Sequence, residues 1–389
     1  MEQLSSKIDA FLRTGEGPFD ALALELFNYQ FEKNPAYRAY VRSQNITLSE
    51  IQRWQDIPAV PMQAFKSAEL ATFPIGRSAA IFESSGTTMK TPSRHYLKTL
   101  TYYEMSLRAS FEKWVLPSPI SGEGRNSRDE GLLPHPSPLP RREREKMPFF
   151  ILTPPPNEAP RSSLTWMMDV VKRKYGAEGS QYVVRNGRLD ELLLATLLKK
   201  SQAAGMPVVL LGTTLAFLAF FEFCMRTGNQ FALAKGSRLM DTGGMKGQKR
   251  EVSRPDFVRQ VGAILGIPEA QCINEYGMCE MSSQFYGKGN STVLQGPAWV
   301  RTLIVDPSTG EEAPAGKTGL LRHFDLANVD SVMAIQTEDL GRIPSPATKS
   351  SSPVGRGMSE AQGEGFELLG RAPEAALKGC SLTAEAFLR

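Results

Sequence analysis

Apolar positions along the first part of the chain recur at helical spacing. Ile8, Phe11 and Leu12 share one helical face, Leu22, Leu26 and Phe27 a second, and Tyr37, Tyr40 and Val41 a third. Pro58 and Pro61 close this stretch in an I-P-A-V-P loop, so residues 1–70 read as a helical N-terminal region whose aromatics pack a core. Beyond it, short apolar runs alternate with longer periodic segments. Strands are expected at 79–82, 148–152, 181–184, 208–211, 238–240 and 272–274. Helices are expected around Tyr102 to Trp114 and at 164–174, 189–204, 215–225 and 255–265. Such alternation predicts an α/β domain over residues 71–342 with largely parallel pairing. After Pro297 the texture becomes hairpin-like, with strands at 300–305, 318–324 and 331–336 and a D-P-S-T-G turn after the first.

Two stretches break this pattern. Residues 117–147 hold six prolines and eleven charged residues, six of them in R-R-E-R-E-K, and have no apolar period. That composition predicts a disordered insertion on a surface loop, tolerated because closure entropy grows slowly with loop length. Residues 343–365, rich in Ser, Pro and Gly, read as a second, low-complexity insertion, and residues 366–389 as a hinge-like segment with a short tail.

Composition narrows the partners. The net charge of +4 is a small excess of 45 cations over 41 anions, which gives no nucleic-acid or membrane-surface footprint. Residues 206–221 carry no charge, but Pro207, Gly212 and Thr213-Thr214 divide them, and they fall short of the roughly 20 residues of a membrane span. A buried strand followed by a buried helix is expected there. Four cysteines without C-x-x-C spacing, beside three histidines, do not make a structural zinc site. The first seven residues lack the apolar core of a signal peptide, and a cytoplasmic setting with free thiols is expected.

The chemistry gathers around Glu83 to Tyr96, E-S-S-G-T-T-M-K-T-P-S-R-H-Y. Ser84, Ser85, Thr87 and Thr88 flank Gly86, and Lys90 and Arg94 follow. A strand feeding a small hydroxyl-rich loop with trailing cations can hold a polyphosphate through backbone N–H groups, hydroxyls and charge. It is not a Walker loop, and an ordinary Ser/Thr-rich turn has the same composition. Further along come Asp241-Thr-Gly-Gly-Met, with Gly243 and Gly244, then Asn274-Glu-Tyr-Gly-Met-Cys-Glu280, Gln336-Thr-Glu-Asp-Leu-Gly-Arg342 and Gly370-Arg371 running on to Leu377-Lys378-Gly379.

In this order, these motifs resemble those of the adenylate-forming enzymes, which activate a carboxylate by attack on the α-phosphate of ATP. The resemblance implies a large N-terminal α/β domain of mostly parallel sheets flanked by helices, plus a smaller β subdomain. It assigns the phosphates to Ser84–Thr88 and Lys90, the surroundings of the base to Gly243 and Gly244, the adenine to Tyr276, Mg²⁺ to Glu280 and the ribose to Asp339 and Arg371. An aromatic face suits a base and a carboxylate oxygen suits Mg²⁺. Met89 stands where the family has glycine, Cys279 where it has threonine, and one extra residue separates Arg371 from Leu377.

The family's usual C-terminal cap, of roughly another hundred residues, has no counterpart after Gly379, and a missing or vestigial cap is expected. The ending K-G-C-S-L resembles the acyl-protein synthetases of bacterial bioluminescence and their relatives. In that branch the acyl group passes from acyl-AMP to a cysteine near the C-terminus and then to a partner acyl reductase. The resemblance therefore implies a carboxylic, fatty-type acid as substrate and Cys380 as nucleophile, with Lys378 two residues away to lower its pKa. A free surface thiol at position 380 fits the same residues. Two other readings stay open: a phenylacetate-type acyl-CoA ligase, and a non-catalytic relative that binds a partner.

Overall fold

The computed structural model describes residues 2–84, 91–116, 146–243, 252–344 and 365–372. Three helices open the chain: α1 (Glu2–Thr14), α2 (Phe19–Lys33) and α3 (Pro35–Ser43). The last of them starts where Asn34 accepts a hydrogen bond from the Tyr37 N–H with Pro35 in the first turn, a favoured helix start. Strand β1 (Val60–Pro61) and helix α4 (Ala64–Ser67) lead to the antiparallel pair β2 (Ala80–Glu83) and β3 (Arg94–Leu97), then α5 (Thr101–Trp114).

The central stretch runs β4 (Phe149–Leu152), α6 (Ser163–Tyr175), β5 (Gln181–Tyr182), β6 (Val184–Arg185), β7 (Arg188–Leu189), α7 (Glu191–Ala203), β8 (Val209–Thr213), α8 (Thr214–Thr227), β9 (Arg238–Thr242), α9 (Arg254–Leu265) and β10 (Cys272–Tyr276). With β11 (Phe285–Lys288) these make a sheet ordered β11-β10-β9-β8-β4-β5, in which β11 alone runs antiparallel. Alternate strand residues face opposite sides, and this sets the layers. Phe150, Leu152 and Leu210 pack with Phe217, Phe220 and Phe221 of α8 and Phe257 of α9. Phe149, Ile151, Val209 and Leu211 face the other way, against Phe111 of α5 and Met168 of α6. Strands covered on both faces explain the continuous apolar runs. Gly212 lets β8 lie against β4, since a Cβ there would meet the Leu152 side chain at 2.7 Å.

The uncharged run 206–221 is thus a buried strand and the start of a buried helix, and among the described residues no helix is long and apolar enough to cross a membrane. Each fully buried phenylalanine contributes about 2 kcal/mol, and α8 buries Phe217, Phe220 and Phe221 completely.

The second sheet is built from β12 (Val293–Leu294), β13 (Val300–Val305), β14 (Gly319–Asp325), β15 (Ala334–Arg342) and β16 (Phe366–Arg371), ordered β12-β16-β15-β14-β13, antiparallel throughout, with β1 added parallel to β15. The N-terminal helices share its core: Ile8, Phe11, Leu26 and Phe27 pack in one cluster with Trp299, Phe324 and Val332.

Three expected boundaries move. Leu189 pairs with Val184 in the β6–β7 ribbon, and Asp190 caps α7 through the Leu193 N–H, so that helix starts later than expected. Residues 331–333 form a turn, and β15 begins at Ala334 and runs on through the T-E-D-L-G-R motif. Met147, placed by composition in the insertion, is buried and pairs with Gly176 in an isolated bridge; residues 117–145 of that insertion lie outside the described residues, as do residues 345–364 of the second.

Candidate active site

The candidate site lies at the carboxyl ends of the parallel strands, where open α/β sheets bind ligands. Ser84 ends β2 and is tied to Ser93 twice: its N–H donates to the Ser93 carbonyl at 3.2 Å, and its hydroxyl accepts from the Ser93 N–H at 3.0 Å. These bonds close the root of the hydroxyl-rich loop. Ser85, Gly86, Thr87, Thr88 and Lys90 themselves lie outside the described residues. Arg94 stands on β3, with Nε 3.5 Å from Glu83 Oε1.

Gly243 follows β9 with φ of +79°, a left-handed turn that favours glycine. Gly244 lies outside the described residues. On the neighbouring strand β10, Glu275 sits opposite Thr242 and accepts a hydrogen bond from its hydroxyl. Glu275 is buried, and desolvation, with Asp241 nearby, pushes its carboxyl up to about 7 against the Thr242 bond. Asp241 takes an ion pair from Arg254 at 2.5 Å and hydrogen bonds from Thr214 and Asn274 at 3.1 Å each. Motif reading gave Glu275 and Arg254 no role, because only the parallel register of β9 and β10 brings these groups together.

Tyr276, Asp339 and Arg371 do come together. The Tyr276 hydroxyl donates to Asp339 Oδ2 at 2.9 Å. Asp339 and Arg371 face each other across β15 and β16, with Arg371 Nε 3.6 Å from Asp339 Oδ1 and Nη1 3.2 Å from Glu338 Oε2. The Tyr276 ring is itself buried among Phe285, Phe366 and His323, at centroid distances of 5.9, 5.8 and 6.0 Å. Two motifs 63 residues apart in sequence thus meet in one hydrogen bond that joins the two sheets.

Glu280 lies in the loop after β10 and is 2% exposed. Burial raises its pKa; Ser93 and Cys279 beside it act in the opposite sense. Its Oε1 has no hydrogen-bond partner among the described residues. A buried carboxylate oxygen left without a donor fits a hard divalent cation. Among the described residues no group of three or more His, Cys, Asp or Glu gathers as an all-protein metal site. The loop is held from both sides. His95 Nδ1 lies 2.9 Å from the Cys279 carbonyl, and burial pushes that imidazole down to about 4, so it stays neutral. Asn328 Nδ2 donates to the Glu280 carbonyl at 2.8 Å, and Asp325 accepts from the N–H groups of Ser282 and Ser283.

Cys224, Cys272 and Cys279 are free and buried. Burial raises all three thiols, Cys224 to about 11 and Cys272 to about 12, so none is a ready nucleophile at neutral pH. Lys378 and Cys380 lie outside the described residues.

Beside Glu83 a cavity of about 790 Å³ opens at the ends of β4 and β8. Its walls include Leu152, Leu164, Val184, Leu189, Leu215 and Ala216, and among the described residues that line it only Glu83 and Arg161 carry charge. Its shape is not legible along the chain, since four separate segments build it.

Solved structures share this fold. A structure of 2-hydroxyisobutyryl-CoA ligase in an open conformation, in complex with 2-HIB-AMP and CoA, aligns over 90% of this chain and 69% of its own, with a TM-score of 0.59 and 14% identity. The same ligase in its thioesterification state aligns over 90% and 68%, with a TM-score of 0.60 and 15% identity. The mixed α/β architecture is that of the adenylate-forming enzymes. No curated protein matches the chain. The family model described as acyl-protein synthetase, LuxE, matches residues 145–388, well over half of the sequence. The chain belongs to the acyl-protein synthetase, LuxE, family.

Proposed function

We propose that this chain activates a carboxylic acid with ATP and passes the acyl group to a thiol, first its own Cys380 and then a partner acyl reductase. The observation that carries the reading is the cavity of about 790 Å³ whose apolar walls end at Glu83, the residue before the hydroxyl-rich loop. That volume falls in the range of small-ligand pockets, and aliphatic walls suit an acyl chain of the fatty type. Membership of an acyl-protein synthetase family supports the same chemistry.

In this reading, an oxygen of the acid's carboxylate attacks the α-phosphorus of ATP, the bond to the β-phosphate bridging oxygen breaks, and pyrophosphate leaves. Ser84–Thr88 and Lys90 bind the phosphates, with Ser93 fixing the root of their loop. Glu280 would hold Mg²⁺, whose charge offsets that of the polyphosphate. Asp339, oriented by the Tyr276 hydroxyl, accepts from the ribose, with the Arg371 Nε 3.6 Å from its other oxygen. The thiolate of Cys380 then attacks the acyl carbon, the mixed-anhydride C–O bond breaks and AMP departs. Lys378 stabilises that thiolate.

ATP–pyrophosphate exchange with a panel of carboxylic acids tests the first step. Hydroxylamine-sensitive acyl labelling of the protein, with and without CoA, separates protein ligation from CoA ligation. Exchange with no acid at all would leave only the non-catalytic, partner-binding reading.

A further inference from the structure

An acid entering an apolar cavity must keep its carboxylate charged, and must bring that charge beside a polyphosphate. Both demands call for a cation at the junction, because an unpaired buried charge is costly. The cavity supplies one such group, Arg161, on the loop between β4 and α6.

We infer that Arg161 binds the carboxylate of the acid substrate and holds it at the Glu83 end of the cavity. The inference rests on the reading of the chain as an acid-activating enzyme. Arg161 Nη1 lies 2.6 Å from Glu83 Oε1, and Arg94 approaches the same oxygen at 3.5 Å. Two cations share one anion, so the cluster keeps one net positive charge for an incoming carboxylate. A guanidinium carries five N–H donors in a fork that matches a carboxylate, and the bond to Glu83 is made from one of its nitrogens, Nη1.

A purely structural role does not account for the pair. The Glu83 N–H already donates to the Arg161 carbonyl at 2.8 Å, so backbone joins the two segments without the side chains. The Arg161 side chain is 60% exposed, and ion pairs that open to water add little to stability. What remains unexplained by folding is a cation in a wall whose other described residues, Glu83 apart, are uncharged, and substrate charge explains it.

The test uses the full chain and pyrophosphate exchange, with the acid and ATP varied separately. Arg161→Ala should raise the KM for the acid by about 10- to 100-fold, the range expected for a lost charge-assisted bond, with the KM for ATP within about twofold. Arg161→Lys, which keeps the charge but loses the fork, should fall between. In a second measurement without ATP, the acid should raise the melting temperature of the parent more than the alcohol of equal chain length does, and Arg161→Ala should abolish that difference. An unchanged KM for the acid, or a rise confined to ATP, overturns the inference while the activity reading stands. A parent protein that exchanges with no acid overturns the activity reading and this inference with it.

Discussion

Glu275→Gln should remove a pH dependence of stability that the fold builds into strand β10. The Glu275 carboxyl is buried, and desolvation raises it from 4.5 to about 7. Below pH 4.5 the group is protonated in the folded and the unfolded chain alike, and its contribution to stability is fully present. Between pH 4.5 and about 7 the unfolded chain gives up the proton and the folded chain keeps it, so stability falls as pH rises. Above about 7 the loss is complete. At about 1.4 kcal/mol for each pH unit, the gap amounts to about 3 kcal/mol. Glutamine keeps an oxygen to accept from Thr242 and has no charge to bury. Guanidinium unfolding of both proteins from pH 4.5 to 8 reads the effect as a difference, in which Asp325, raised by burial to about 6 in both, cancels. The variant should gain about 3 kcal/mol on the parent across that window. A difference that stays flat would show that the Glu275 carboxyl is not held neutral, and would refute the argument from burial.

Two further expectations concern the proposed chemistry. Tyr276→Phe removes the hydroxyl that donates to Asp339 and should raise the KM for ATP about tenfold, the scale of one lost bond to a charged group; exchange kinetics check it, and an unchanged KM would detach Asp339 from the nucleotide. Cys380→Ser should keep pyrophosphate exchange and lose stable acyl-enzyme, whereas Cys279→Ser, at a buried thiol raised by desolvation, should keep both; labelled acyl trapped by the first and not by the second would make Cys279 the nucleophile.

Local signals read well from the chain, and contacts made by register did not. Helix α9 announces itself in Ser253-Arg-Pro-Asp, with Ser253 accepting from the Asp256 N–H and Gly266 in the left-handed region closing the helix. Motif order found both Asp339 and Arg371, but their direct pairing across β15 and β16 was hidden by the low-complexity stretch between those strands. Strand β3 passed unnoticed because four residues, R-H-Y-L, are too few to show a period, and His95 went with it. Nothing in N-E-Y-G marks Glu275 as buried; Thr242 reaches it only once β9 and β10 align.

The N-terminal helices give the clearest case of a polar support hidden in packing. Their aromatics read as core, and core they are. Yet Gln30 of α2 is fully buried, donates to the carbonyls of Asn328 and Val329 at 2.7 and 3.2 Å, and accepts from the Met333 N–H at 3.0 Å. One amide side chain thereby bonds three backbone groups of the 328–333 turn, where a buried group left without a partner is costly. That turn carries Asn328, whose amide holds the Glu280 carbonyl, and it follows Asp325, which holds Ser282 and Ser283. The carboxylate assigned to the metal is therefore fixed from behind through bonds that begin in α2, 250 residues earlier in the sequence. The Glu280 loop, proposed above to meet a polyphosphate with one carboxylate, is held by this buttress, since each bond in the chain is buried and stronger there than in water.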